Sequence, residues 1–345
     1  MNKSSRILSV LVVGALALAV LGAAYAATKR KASPKAQAVP AAASKTVSVA
    51  QQLQQEYEGV VAAVEPSVVQ IETSEGLGSG IVFDAKGDIV TNDHVVGTAK
   101  TFKVTLASGK QLTGTLVGTF AADDLAVIHV NGTGLRPAKF ADSSKLRVGQ
   151  IALAVGNPLG FRSSVTDGIV SALGRTVSEP GGATLPNVIQ TSAAINPGNS
   201  GGALVDLNGA VIGIPTLGVS DPQMGGAATG IGFAIPSSTV SDIASQLVTN
   251  GKVVDSHRAY LGVRVGDTNG QGALVGSVTS GGPAATAGIV AGEAIVSVNG
   301  QATPTAGDLG DVLAGLKPGQ KVSVGLVRQN GTKVTVSATL GEYPG

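Results

Sequence analysis

Three short stretches of this chain carry residue types suited to nucleophilic catalysis. Ser200 lies in Gly198-Asn199-Ser200-Gly201-Gly202. Flanking glycines let the backbone turn tightly, and such a turn can aim successive N–H groups at one point, where they would stabilise a developing oxyanion. Alone, the pentapeptide is equally an ordinary turn. His94 lies in Thr91-Asn92-Asp93-His94-Val95-Val96, just after a strand-like run, and Asp123-Asp124 directly precede the apolar run Leu125-Ala126-Val127-Ile128. A serine hydroxyl is a poor nucleophile until a base takes its proton. Imidazole suits that role near neutral pH, and a buried carboxylate holds its tautomer and stabilises the imidazolium. Neighbouring strand residues point to opposite faces, so only one of Asp123 and Asp124 can serve. Spacing does not choose between them.

Composition narrows the chemistry further. The 345 residues include no Cys and only three His: His94, His129 and His257. Thiol nucleophiles, disulfides and Cys-based metal sites are excluded. There is no His-Glu-x-x-His pair, and the acids lack calcium-loop spacing, so neither a metal nor a cofactor is expected. His129 reads as structural and His257 as solvated. The net charge of +2 is misleading. All seven basic residues before position 46 stand without an acid, which leaves 17 basic against 22 acidic residues, a net of −5, for the remainder. With no basic stripe among aromatics, nucleic acid is not an expected partner.

The elements that must position these residues follow from the patterning. Residues 1–27 read as a signal peptide or a membrane anchor, because Ile7 to Ala27 are uncharged and almost wholly apolar behind Lys3 and Arg6. Ala24-Tyr25-Ala26 fits a cleavage site, whereas Lys29-Arg30-Lys31 fit a retained span. Residues 28–50 read as a flexible linker. Leu53, Tyr57, Val60, Val61 and Val64 recur at helical spacing up to Pro66. From 67 to 236, short apolar runs separated by Gly, Asn and Asp turns predict an all-β barrel or sandwich, long enough for two small barrels. A helix follows, capped by Ser237 or Ser238, striped by Val240, Ile243, Ala244, Leu247 and Val248, and ended by Gly251. Residues 252–258 read as a hinge, and residues 259–341 as a second unit with one helix around Leu309, Val312, Leu313 and Leu316.

The stretches Thr91–Val96, Asp124–Ile128 and Gln190–Leu204 together resemble the HtrA/Deg family of trypsin-like serine proteases. Gly156-Asn157-Pro158-Leu159-Gly160, Gly168–Arg175 and Ile231–Pro236 extend the likeness, which spans roughly residues 50–340. The resemblance implies a mainly β fold, in which a two-barrel chymotrypsin-like protease domain (51–251) precedes a PDZ domain (259–341). It implies Ser200 as nucleophile, His94 as general base and Asp124, immediately before the Leu-Ala pair, as orienting acid. The N–H groups of Gly198 and Ser200, with Asn199 between them, would form the oxyanion hole. Ala194, Ile195, Ile231, Gly232, Phe233 and Ala234 are expected to line an apolar pocket for the residue before the scissile bond. In the second unit, Tyr260-Leu261-Gly262-Val263 fits the loop that binds a peptide carboxylate, and Leu309, Val312 and Leu313 the apolar side of that groove.

Two departures accompany the likeness. Ser192 stands where the family commonly has Asp, and the Glu75-Gly76 connection is very short, which argues against assembly into large cages; a homotrimer, common in the family, stays compatible with the sequence, with Tyr57 either packed in the core or at a subunit contact. The expected function is an ATP-independent endopeptidase acting on unfolded polypeptides outside the cytoplasm. The competing class is a peptide-binding chaperone or sensor with a locked or inactive protease site. Gly198-x-Ser200-x-Gly202 also matches an α/β-hydrolase elbow, but Ala203–Gly209 reads as a strand and turn rather than a helix, and the only later histidine is His257.

Overall fold

The computed structural model describes residues 48–74, 76–157, 164–178, 184–196, 198–221, 226–268 and 270–345. The segment expected to be a signal peptide or anchor lies outside the described residues. No described helix is long and apolar enough to cross a membrane. The first helix, α1 (Val49–Val64), matches the predicted stripe and buries Val60 and Val64; Pro66 then sits in a single 3-10 turn.

Six antiparallel strands close the first barrel: β1 (Val68–Glu72), β2 (Leu77–Val82), β3 (Asp88–Thr91), β4 (Thr101–Thr105), β5 (Gln111–Phe120) and β6 (Leu125–Val130), in the order β1-β2-β3-β6-β5-β4. A four-residue helix, α2 (Asp93–Val96), follows β3. Nearly every residue of β6 is buried, because one face fills the barrel and the other is covered by neighbouring elements. Hence its sequence is a continuous apolar run rather than an alternating one.

The second sheet contains β7 (Lys139–Phe140), β8 (Ile151–Gly156), β9 (Ser164–Ser178), β10 (Thr184–Thr191), β11 (Ala203–Val205), β12 (Ala210–Asp221) and β13 (Gly226–Pro236). Its order is β11-β8-β9-β10-β13-β12-β7, and an extra β11–β12 pairing closes it into a ring, with β7 appended in parallel to β12. The two rings form the chymotrypsin-like double barrel.

Helix α3 (Ser237–Asn250) buries Val240, Ile243, Ala244 and Leu247 against the barrels. Each of its larger apolar side chains contributes about 1.5–3 kcal/mol through burial. Gly251 ends it in the left-handed conformation, φ 68°, its N–H bonded to the Leu247 carbonyl. The start differs from expectation. Pro236 is the N-cap residue and offers no side-chain bond. The Ser237 hydroxyl is committed to the Ala141 carbonyl, and the Ser238 N–H donates to Ser143 Oγ. Tertiary partners have replaced the local cap.

The third sheet comprises β15 (Val263–Asp267), β16 (Ala273–Val278), β17 (Ala294–Val298), β18 (Gln301–Ala302), β19 (Lys321–Val327) and β20 (Lys333–Thr339), beside the small pair β14 (Ala259–Tyr260) and β21 (Gly341–Glu342). Helices α4 (Pro283–Thr286) and α5 (Ala306–Ala314) complete this PDZ fold. Thr305 and Asp308 form a reciprocal capping box that starts α5.

Residues 252–258, expected as a hinge, are firmly tied. Arg258 donates to Asp123 at 2.8 Å, to the Thr184 carbonyl at 2.5 Å and to the Ala122 carbonyl. Its guanidinium also lies 5.8 Å from the Tyr343 ring. Tyr343 packs edge-on against Phe120 and Tyr260, so one aromatic cluster bridges barrel and PDZ domain.

Candidate active site

Strand pairing brings the first two site residues together. Thr91, at the end of β3, lies opposite Ala126, near the start of β6. His94 on α2 therefore meets Asp124, just before β6, across a 30-residue separation. The His94 Nδ1 lies 2.9 and 3.0 Å from the two oxygens of Asp124, and the His94 backbone N–H donates to Oδ1 at 3.0 Å. A ring nitrogen facing a carboxylate must carry the proton, so Nε2 is left as the acceptor in the neutral ring, the tautomer a general base requires. Asp124 itself is only 3% exposed. It adopts the left-handed region, φ 50° and ψ 44°, which few non-glycine residues occupy. That backbone turn aims its side chain at His94, and the Asn92 side-chain amide secures the turn by donating to the Asp124 carbonyl at 3.0 Å.

Asp123, the other candidate acid, points elsewhere and pairs with Arg258. Burial pushes its carboxyl above the usual range, against the pull of the guanidinium. Asp93, half-buried, is also raised, first by burial and then by the negative charge of Asp124. His129 sits toward the opposite end of β6, paired across the ladder with Asp88, to which Nδ1 bonds at 2.8 Å. That bond raises its pKa and explains the residue structurally. His257 is solvated, as expected, with a side chain 67% exposed beside Asp242 and Asp255.

Ser200 lies in the turn between β10 and β11 and is 8% exposed. Its hydroxyl contacts the Thr216 carbonyl at 3.4 Å, the long end of hydrogen-bond range. Gly198 has φ 105°, a conformation that strains any residue with a β-carbon. Among the described residues, neither the Gly198 nor the Ser200 N–H donates to a protein acceptor. The Asn199 side chain turns inward and donates to the Ala194 carbonyl at 3.2 Å, so this residue braces the loop with its side chain.

Thr216 was invisible in the sequence pattern. Its hydroxyl donates to Asp124 Oδ2 at 2.8 Å while its carbonyl faces Ser200. One residue of β12 thus touches both ends of the constellation. A lone Thr in a β-rich segment gives no signal of this.

The six residues expected to line the apolar pocket do not share one face. Consecutive strand residues alternate sides. Phe233 joins the main core with Ile235, whereas Ala234 packs with Ile189, Ala193 and Ile195. Gly232 also faces Ile195: a β-carbon there would lie 2.4 Å from Ile195 Cγ1. Phe233, Ala234 and Ile195 are therefore core residues, Gly232 is buried against Ile195, and of the six only Ala194 and Ile231 are exposed. Ser192 has a packing role, since its hydroxyl accepts the Ile169 N–H at 3.0 Å and ties the loop to β9.

In the PDZ domain, β15 is an edge strand, open for addition of a peptide strand. A cavity of about 530 Å³ lies between β15 and α5, lined by Val263, Val265, Leu309 and Leu313, with Thr184 and Pro186 of the protease domain on its rim. Leu261 and Val312, expected in the same groove, do not line this cavity; like Leu309, they are buried in the core of the PDZ domain. Leu309, Val312 and Leu313 share one helical stripe, at spacings of three and four residues, and all pack with the core of the PDZ domain. Tyr260 bonds through its hydroxyl to Thr279 Oγ1 at 2.8 Å, and Gly262 takes φ 82° at the start of the loop.

Comparison with known proteins agrees with this architecture. A trypsin-like peptidase domain model matches residues 78–214, and a PDZ domain model matches residues 259–340. Serine protease PepD of Mycobacterium tuberculosis is 39% identical over 363 residues, an alignment covering 96% of this chain and 78% of that protein. Periplasmic pH-dependent serine endoprotease DegQ of Escherichia coli is 41% identical over 279 residues, covering 77% of this chain. Periplasmic serine endoprotease DegP of the same organism is 43% identical over 277 residues, covering 76% of this chain. The chain spans 59% of DegQ and 56% of DegP. Among solved structures, the HtrA-type protease AlgW with a decapeptide superposes with a TM-score of 0.60 at 32% identity, over 84% of this chain and 99% of that one.

Proposed function

Since the chain belongs to the HtrA/Deg family of trypsin-like serine endoproteases with a PDZ domain, we propose that it degrades unfolded or damaged proteins in the cell envelope, without ATP, through an acyl-enzyme. The observation that carries the reading is His94 Nδ1 seated on the buried Asp124 carboxylate while Ser200 occupies a glycine turn whose Gly198 and Ser200 N–H groups have no acceptor among the described residues.

In this mechanism Ser200 Oγ attacks the scissile carbonyl carbon as His94 Nε2 takes its proton. The carbonyl oxygen becomes an oxyanion and receives the Gly198 and Ser200 N–H groups. Asp124 stabilises the imidazolium, and Thr216 keeps that carboxylate oriented. His94 then gives the proton to the departing amine, which leaves the acyl-enzyme. Water repeats the sequence: His94 takes its proton, its oxygen attacks the ester, and Ser200 regains a hydrogen. No step calls on a metal or a nucleotide.

The PDZ groove is read as a site for C-terminal or apolar peptides, by strand addition to β15. An extracytoplasmic location, with the N-terminal segment as leader or anchor, is supported by the apolar run from Ile7 to Ala27 and by the periplasmic relatives.

The apolar residues beside the Ser200 loop, with Ala194 and Ile231 exposed, favour Val or Ala before the cut, and no acid occurs from 180 to 205 to attract a basic side chain. Digestion of unfolded casein without ATP, followed by mass spectrometry of the fragments, should place most cuts after Val, Ala or similar residues. Predominant cleavage after Arg or Lys would contradict the pocket assignment.

A further inference from the structure

Ser79 lies on β2, in the first barrel, and has no solvent exposure. The partners of its hydroxyl and its N–H are in the second barrel. The Ser79 hydroxyl donates to the Gly198 carbonyl at 2.6 Å, across 119 residues, and its backbone N–H donates to the Ser200 carbonyl at 2.9 Å. The direction of the hydroxyl bond is fixed by its other partner: the Asn157 N–H, which can only donate, reaches Ser79 Oγ at 2.8 Å. The single hydroxyl proton is therefore committed to Gly198. The Ser79 carbonyl in turn accepts from Thr91 Oγ1 at 2.6 Å, three residues before His94.

We propose that Ser79 is a positioning residue for catalysis, its hydroxyl and N–H pinning the Gly198 and Ser200 carbonyls, whose peptide planes bracket the one that carries the Ser200 N–H, so that this donor is held toward the reacting carbonyl oxygen. The inference rests on the reading of Ser200 as nucleophile. Its physical basis is the freedom of the loop. Gly198, at φ 105°, has the widest conformational choice of any residue type, so its peptide planes need an external hold. Ser79 holds the peptide plane after Gly198 and the one after Ser200, so the plane between them, which carries the Ser200 N–H, is fixed from both sides. Close packing leaves no slack: a β-carbon at Gly201 would stand 2.2 Å from the Ser79 carbonyl oxygen. One residue thereby couples the barrel that carries His94 and Asp124 to the loop that carries Ser200.

The test compares Ser79→Ala and Ser79→Cys with the wild-type chain, by steady-state cleavage of a peptide substrate, inhibition by a peptide boronic acid, and thermal unfolding. Cysteine keeps the volume but is a weak donor. A misplaced oxyanion loop should lower kcat by about 100-fold, leave KM little changed, and weaken boronate affinity by a similar factor, in protein that still unfolds cooperatively. Wild-type kcat and boronate affinity in a folded variant would overturn the proposal, as would equal losses in kcat and 1/KM. Should the alanine chain fail to fold, the cysteine chain decides by the same readouts; failure of both to fold would assign Ser79 to stability alone. An inert wild-type protein would instead refute the reading of Ser200.

Discussion

Ser200→Ala is expected to reduce casein hydrolysis by about 10⁶-fold, and His94→Ala by a comparable factor, whereas His129→Ala should stay near wild type. The two large losses share one origin. Without His94 the Ser200 proton has no acceptor, and without Ser200 there is no oxygen to acylate. Removing both should therefore cost little more than removing one, since the groups act as a unit. His129 serves as the internal control because its ring is engaged with Asp88, toward the far end of β6. Casein hydrolysis measured beside thermal unfolding checks the set. Equal losses in the His94 and His129 variants would contradict the assignment of the base.

The second large effect separates the two neighbouring acids. Asp124→Asn should lower kcat by about 10⁴-fold with little loss of stability. The side-chain NH₂ would face His94 Nδ1 and select the ring tautomer with hydrogen on Nε2, which cannot accept from Ser200. Asp123→Asn should do the reverse. It leaves Arg258, whose side chain is 15% exposed, without its charge partner. Breaking a largely buried pair costs about 3 kcal/mol, so the unfolding midpoint should fall while kcat of the folded protein persists. Paired measurement of kcat and denaturant midpoint resolves the two. A large loss of kcat from Asp123→Asn alone would exchange the roles.

Much of this site was legible in the sequence because it is held by local features. The glycines around Ser200 mark a turn wherever they occur, and the β6 run that starts at Leu125 marks a buried strand immediately after Asp124. The choice between Asp123 and Asp124 was not legible from spacing. It depends on the left-handed backbone at Asp124 and on Arg258, more than a hundred residues away in sequence. Ser79 and Thr216 escaped for the same reason: each acts through a contact made only when the barrels close. The pocket was over-read. Ile231, Gly232, Phe233 and Ala234 were grouped by adjacency, but a strand sends neighbours to opposite faces, and Phe233 went to the core. Likewise Ser237 and Ser238 looked like caps and found partners in Ala141 and Ser143 instead.

Reaction of the wild-type chain with a fluorophosphonate, followed by peptide mapping, shows whether Ser200 is the activated nucleophile. Only an activated hydroxyl beside oxyanion donors reacts at an appreciable rate. A single phosphonyl adduct is expected, on Ser200, that disappears in His94→Ala. An adduct on another residue, or none on well-folded protein, would contradict that assignment.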